Sequence, residues 1–180
     1  MARPKSATGT ISDAALRDDR LVFYREDAEA IDRVLEEFLA LSNARCTFLI
    51  DRDGHLITRK GESVSIHPDS LAALVAGSFA ATREMARLLG EPEFRVLYHQ
   101  GSRDNHIQIA LVGNRTLLTI LFDDRTTLGM VRFYATETAR RLEEVFENAK
   151  NRQNPPDEEV RLGEAFTEAA RDQLGDVLGG

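Results

Sequence analysis

Several groups of side chains in this 180-residue chain are of types that could do chemistry, and each fails on spacing. Asp51-x-Asp53 with Glu62 offers carboxylates in the order of a calcium loop, but such a loop places its glycine sixth, and Gly54 falls fourth. His55, His67, His99 and His106 supply imidazoles with no second ligand at a helical i, i+4 spacing and no CxxC, so no zinc site is expected. Asp123-Asp124 is a carboxylate pair that ends a strand ahead of a helix start, where acids complement the helix dipole. Cys46 is the one cysteine; within the apolar run CTFLI it reads as a buried small hydrophobe and not as a reactive thiol. Neither GxxxxGK[ST] nor GxGxxG occurs, so the chain is not expected to bind or hydrolyse a nucleotide itself. The sequon Asn114-Arg115-Thr116 would matter only on a secretory route. No catalytic site, cofactor or metal is therefore expected.

Composition narrows the class further. A hydrophobic fraction of 42% and a charged fraction of 29% are those of a soluble globular protein, and the length suits one domain with tails. The net charge of -7, with no basic block, disfavours binding to nucleic acid or anionic membranes. No run approaches the roughly 18 apolar residues of a membrane span, and the first residues lack an apolar signal region, so the expected location is cytoplasmic.

With no reactive constellation to position, the elements themselves carry the reading. Residues 1–20 are polar and Gly/Pro-containing and read as a flexible tail. From Arg25 to about Leu41, Ala28, Ile31, Leu35 and Phe38 recur at helical spacing, with Val34 and Leu39 flanking. CTFLI, the turn Asp51-Arg52-Asp53-Gly54 and HLITRK read as a hairpin. A central helix follows, opened by Pro68 with Asp69 or Ser70 as N-cap and closed at Gly90. FRVLYH, HIQIALV and TLLTILF, joined by short turns, form an antiparallel meander. Thr126 or Thr127 then caps a helix whose apolar stripe runs from Leu128 to Ala149. The expected fold is α/β: a five-stranded antiparallel sheet with helices on its faces, in two or three layers. Residues 151–156, NRQNPP, read as a linker, and 157–180 as an amphipathic C-terminal helix with Leu162, Phe166 and Leu174 on its stripe. That stripe needs a surface, either on its own domain or on another chain, or else stays loosely ordered.

The central helix presents two faces. Leu71, Leu74, Val75, Ser78, Thr82, Met85 and Leu89 read as the core side, while Ala72, Ala73, Ala76, Gly77 and Ala80 occupy the opposite side, with Arg83, Glu84 and Arg87 beyond them. Small uncharged residues there allow close approach of a partner, although alanine also fills an exposed helix face simply as the best helix former.

Together SLAALVAGSFAATREMARLLGEPEF, the HQG turn at His99 to Gly101, ALVGNRTLLTILFDDRTTLGMVRF and the hairpin FLIDRDGHLI resemble the roadblock/LC7 domain family, most closely its bacterial MglB group. The resemblance covers about residues 21–150. It implies a homodimer that pairs the edge strand Arg95, Val96, Leu97, Tyr98, His99 and apposes the central helices. It also implies a surface on those helices, at Ala72, Ala73, Ala76, Ala80 and Arg83, that receives an MglA-like small Ras-type GTPase in its GTP-bound form. The implied activity is GTPase activation without an arginine finger, by holding the GTPase's own catalytic elements, in the control of cell polarity or gliding motility, with a polar location possible for such a protein. The C-terminal helix, through Leu162, Phe166 and Leu174, resembles an extension that touches the GTPase in some members. Phe79 is bulkier than the small residue expected beside the surface, and Arg83-Glu84 would make its lower end charged and partner-selective. The alternative the family offers is a noncatalytic scaffold.

Overall fold

A computed structural model describes residues 24–102 and 104–153; the tail at 1–20 and the C-terminal stripe with Leu162, Phe166 and Leu174 lie outside the described residues. Helix α1 (Arg25–Ser42) starts where the Tyr24 amide donates to Asp27 Oδ2 at 3.0 Å, and it ends at Asn43, whose left-handed φ of 56° is one asparagine tolerates. Strands β1 (Cys46–Asp51) and β2 (Leu56–Gly61) follow, joined through Gly54, which turns at a φ of 89°.

Helix α2 (Pro68–Leu89) comes next and stops at Gly90, whose amide returns to the carbonyl of Ala86. Its start differs from expectation. Pro68 already occupies the first turn, so the cap is His67, one residue upstream, and no side chain bonds to the end. Strands β3 (Val96–Gln100), β4 (His106–Val112) and β5 (Thr116–Phe122) form the meander, and helix α3 (Leu128–Gln153) opens with Thr127 Oγ1 accepting the Met130 amide at 3.2 Å. Helix α3 runs to Gln153, three residues into the stretch read as a linker. Residues 23–146 form one compact unit, and the end of α3 from Glu147 belongs to another.

All strand pairs are antiparallel in the order β2-β1-β5-β4-β3, so the hairpin and the meander join along β1 and β5. On one face Phe48, Ile50, Ile109, Leu117 and Leu121 pack with Ala72, Val75 and Phe79 of α2. The alternate positions Leu49, Leu118 and Ile120 are buried on the other face, the side of α1 and α3, whose Glu37 and Arg141 pair at 2.8 Å. Cover on both faces explains why β5 is buried at every position without strict alternation. Each large side chain buried there contributes about 1.5–3 kcal/mol.

Candidate functional site

Helix α2 carries three faces where the sequence suggested two. The sheet side consists of Ala72, Val75, Ala76, Phe79, Thr82 and Ala86. Ala72 and Ala76, expected on the docking surface, are therefore buried against the sheet and cannot take part in it. The reason is distance: small residues let the helix backbone approach the strands closely, and Phe79 fills the remaining depth. A second face, a flank, carries Leu74, Ser78, Ala81, Met85 and Leu88, recurring at three- and four-residue steps. Leu74, Met85 and Leu88 are 72%, 51% and 75% exposed, although Leu74 and Met85 were expected in the core along with Leu89, which is also exposed.

The third face is the outer ridge of Ala73, Gly77 and Ala80, all exposed, with exposed Arg83 beyond. A Cβ built on Gly77 meets nothing within 4 Å, so the ridge is bare at its centre. Its N-terminal end is braced by the β1–β2 turn, where Gly54 comes so close that an added Cβ would lie 3.2 Å from the Ala73 Cα. Because Gly54 touches the Ala72–Ala73 side, the flank with Leu74 and Met85 faces away from the hairpin. The Arg52 guanidinium lies over the Phe79 ring at 5.9 Å and bonds to Glu93 at 2.7 Å, which ties the hairpin to the loop after α2.

Strand β3 is an outer strand of the sheet, paired with β4 alone. The Leu111 amide donates to the Arg95 carbonyl, which fixes the alternation: Arg95, Leu97 and His99 turn their backbone groups toward β4, while Val96, Tyr98 and Gln100 turn theirs outward. Val96 is 47% exposed, and Leu97 and Tyr98 are half-buried. Arg95 precedes the strand and pairs with Glu143 at 3.3 Å. Tyr98 and His106 bond at 3.0 Å and stack with Phe122, which stiffens the strand from the α3 side.

The chemical candidates do structural work. Donor atoms of Asp51, Asp53 and His55 lie within 4.8 Å of one another, but Asp51 Oδ1 accepts the amides of Asp53 and His55 and its Oδ2 meets His55 Nδ1 at 3.0 Å. Glu62 belongs to a different cluster, bonded to Arg125 at 2.6 Å and to Arg45 at 3.0 Å. Arg125, and after it Arg45, holds the Glu62 carboxyl below its ordinary pKa, and Arg125 does the same to Asp123. Burial pushes the Cys46 thiol up to about 11, which leaves it neutral and inert. Among the described residues no helix is long and apolar enough to cross a membrane.

The ridge, the flank and the outer strand β3 are the exposed surfaces of this side of the described residues. The Roadblock/LC7 domain model matches residues 30–122. No curated protein sequence matches the chain. Among solved structures, MglB of Myxococcus xanthus is 36% identical over 72% of this chain and 96% of its own, with a TM-score of 0.66. The gliding protein MglB of Thermus thermophilus is 36% identical over 71% and 96%, with a TM-score of 0.67. An MglB with a tetrameric arrangement is 36% identical over 72% and 96%, with a TM-score of 0.68. Because the matched stretch runs from within α1 through the last strand and takes in the whole five-stranded sheet, the chain belongs to the roadblock/LC7 domain family.

Proposed function

We propose that this chain regulates a small Ras-type GTPase of the MglA kind, acting as a homodimer that raises GTP hydrolysis. The observation that carries the reading is the bare ridge of Ala73, Gly77 and Ala80 on a helix whose other two faces already have uses. The sheet side is the core. The exposed apolar flank, beside a sheet with one open edge, suits a second copy: β3 pairs with β3, and the α2 flanks meet. The relatives at 36% identity include a gliding protein and a form with a tetrameric arrangement, which supports association and a partner in motility control.

A ridge of small residues lets the GTPase approach closely without a side chain of this protein entering its nucleotide site. Activation then consists of holding the GTPase's own switch segments in their catalytic geometry. Arg83 is the cation at the end of the ridge. An arginine finger contributes about 10³–10⁵ in rate, whereas a docking arginine contributes only through binding.

The test is single-turnover GTP hydrolysis by the cognate GTPase with catalytic amounts of this chain. Gly77→Arg should abolish the stimulation while raising helix stability, since any residue but proline outperforms glycine inside a helix, by about 0.5–1 kcal/mol. Ala76→Arg is unsuitable because it would force a charge into the core. Arg83→Ala should weaken half-saturation a few-fold and leave the maximal rate in place; a drop of about 10³ would instead make Arg83 a finger. Binding that ignores the bound nucleotide, with no change in hydrolysis, would favour a scaffold.

A further inference from the structure

Strand β3 could meet a second copy in several registers, and its own backbone limits them. Val96, Tyr98 and Gln100 turn their amides and carbonyls outward, while Leu97 and His99 turn theirs toward β4. Identical strands related by a twofold axis run antiparallel, so the axis passes either through one residue and its copy or between two residues. An axis between residues sets an outward group against an inward one, which makes no hydrogen bonds. An axis on Val96 or Gln100 leaves most of the strand unpaired. Leu97, Tyr98 and His99 are the remaining choices.

The strand's length and its side chains select among these. With the axis on Tyr98, Val96 faces Gln100 of the second copy, Tyr98 faces Tyr98, and every outward group of the strand has a partner. An axis on Leu97 sets Gln100 against Phe94, ahead of the strand, and an axis on His99 sets Val96 against Ser102, in the turn after it. On the α2 face the Tyr98 axis places Leu97 opposite His99. The Leu97 axis instead places Arg95 opposite His99, and the His99 axis opposes two imidazoles; both become like-charge pairs when histidine is protonated. The Tyr98 ring bonds to His106 at 3.0 Å and stacks on His106 and Phe122, of β4 and β5, so it leans inward over the sheet and leaves the edge clear.

On the face opposite α2, a groove of about 560 Å³ runs between α3 and the β3–β4 ladder. Its floor is Val96, the buried Gln108 and Ala110, and its α3 wall is Ala135, Thr136 and Ala139. We infer that two copies pair in the register centred on Tyr98, and that the second copy thereby supplies Gln100 to the floor of this groove, beside Val96. Each groove is then finished by the other chain. The neighbour of Val96 is Tyr98 if the axis lies on Leu97, and Ser102 if it lies on His99. The inference rests on the reading that β3 is where two copies meet, and it adds which residues face each other there.

Disulfide trapping reads the register and that meeting place separately. Full-length chains carrying Leu97→Cys and His99→Cys are mixed at a concentration where the protein associates, oxidised mildly and resolved by non-reducing electrophoresis. Cys46 stays out of the exchange because it is buried and its thiol is protonated. In the Tyr98 register Leu97 and His99 form a non-hydrogen-bonded pair with Cα atoms about 4.5 Å apart, inside the range a disulfide spans. Two copies of Leu97, or two of His99, are then diagonal neighbours at about 7–8 Å, too far to bridge. The mixture should therefore yield a linked heterodimer at least about tenfold faster than either variant yields a homodimer alone. Rapid linking of Leu97→Cys alone, or of His99→Cys alone, would move the axis to that residue and overturn the register while keeping β3 as the meeting place. No linking in any combination would overturn both. If Leu97→Cys folds poorly, the exposed pair Val96→Cys and Gln100→Cys repeats the test at about 5.5 Å.

Discussion

The two edges of the sheet are finished in opposite ways. Along β2, Lys60 is paired with Asp32 at 2.8 Å and with Glu36 at 2.9 Å, Thr58 donates to Asp32 at 3.2 Å, and helix α1 packs against the strand. Just past its end Glu62 is held by two arginines. Strand β3 has the sequence VLYHQ, with no lysine, arginine or carboxylate inside it and three residues turning their backbone groups outward. Charge and cover close an edge to pairing, and a short apolar strand without either leaves it available. The comparison sets one edge closed by charge and a helix against one that carries neither, and it is on the second that the proposed association rests.

The sharpest way to break this contrast is Val96→Pro. The Val96 amide points away from β4, so proline there removes no bond within the chain but blocks pairing with another copy. With both copies altered, dimerisation should weaken by about 2–4 kcal/mol, roughly thirtyfold to a thousandfold, by sedimentation at graded concentrations, while the far-ultraviolet spectrum is retained. Met85→Ala trims the flank without touching the edge. Met85 is half exposed in one chain, so the loss should be about 1–2 kcal/mol, close to tenfold, with no fall in unfolding temperature.

Acid should act on the opposite side. Glu62 and Asp123 sit below their usual values of 4.5 and 3.8 in the folded chain, chiefly through hydrogen bonds from Arg125. Groups depressed on folding stabilise above their unfolded pKa, and that stability is lost as pH falls through the lowered folded values. The unfolding temperature should therefore drop as pH falls below about 4.5, and Glu62→Gln should flatten that limb. The smallest effect belongs to Lys60→Val, which removes a charge from the closed edge. Helix α1 still lies along β2, so only weak extra association, under about 1 kcal/mol, should appear in light scattering at high concentration.

Much of this was legible from residue order, and the failures share one cause. Strands β4 and β5 coincide with HIQIALV and TLLTILF because β-branched and aliphatic runs bounded by Gly113-Asn114 and Asp123 have one reading. That β3 lies at a sheet edge agrees with what the family resemblance implied and was not legible in residue order, and the strand runs Val96–Gln100 where Arg95–His99 was expected. The faces of α2 did not follow expectation, because hydrophobicity sends leucine inward, and in this helix the contact with the sheet is made by Ala72, Ala76 and Ala86. Leu74, Met85 and Leu88 lie on an exposed apolar flank, and periodicity within one chain cannot separate such a flank from a core. Gln108 was invisible for a related reason: a glutamine in a strand gives no sign of being buried.

The account depends most on β3 being where two copies meet, and amide hydrogen exchange measured by nuclear magnetic resonance on the intact chain tests it directly. If the copies pair there, the outward amides of Val96, Tyr98 and Gln100 will be as protected as the inward amides of Leu97 and His99, and their protection will fall on dilution through the dimerisation range. If those three amides exchange as freely as loop amides at every concentration while Leu97 and His99 stay protected, the open edge is not the meeting place and the account fails.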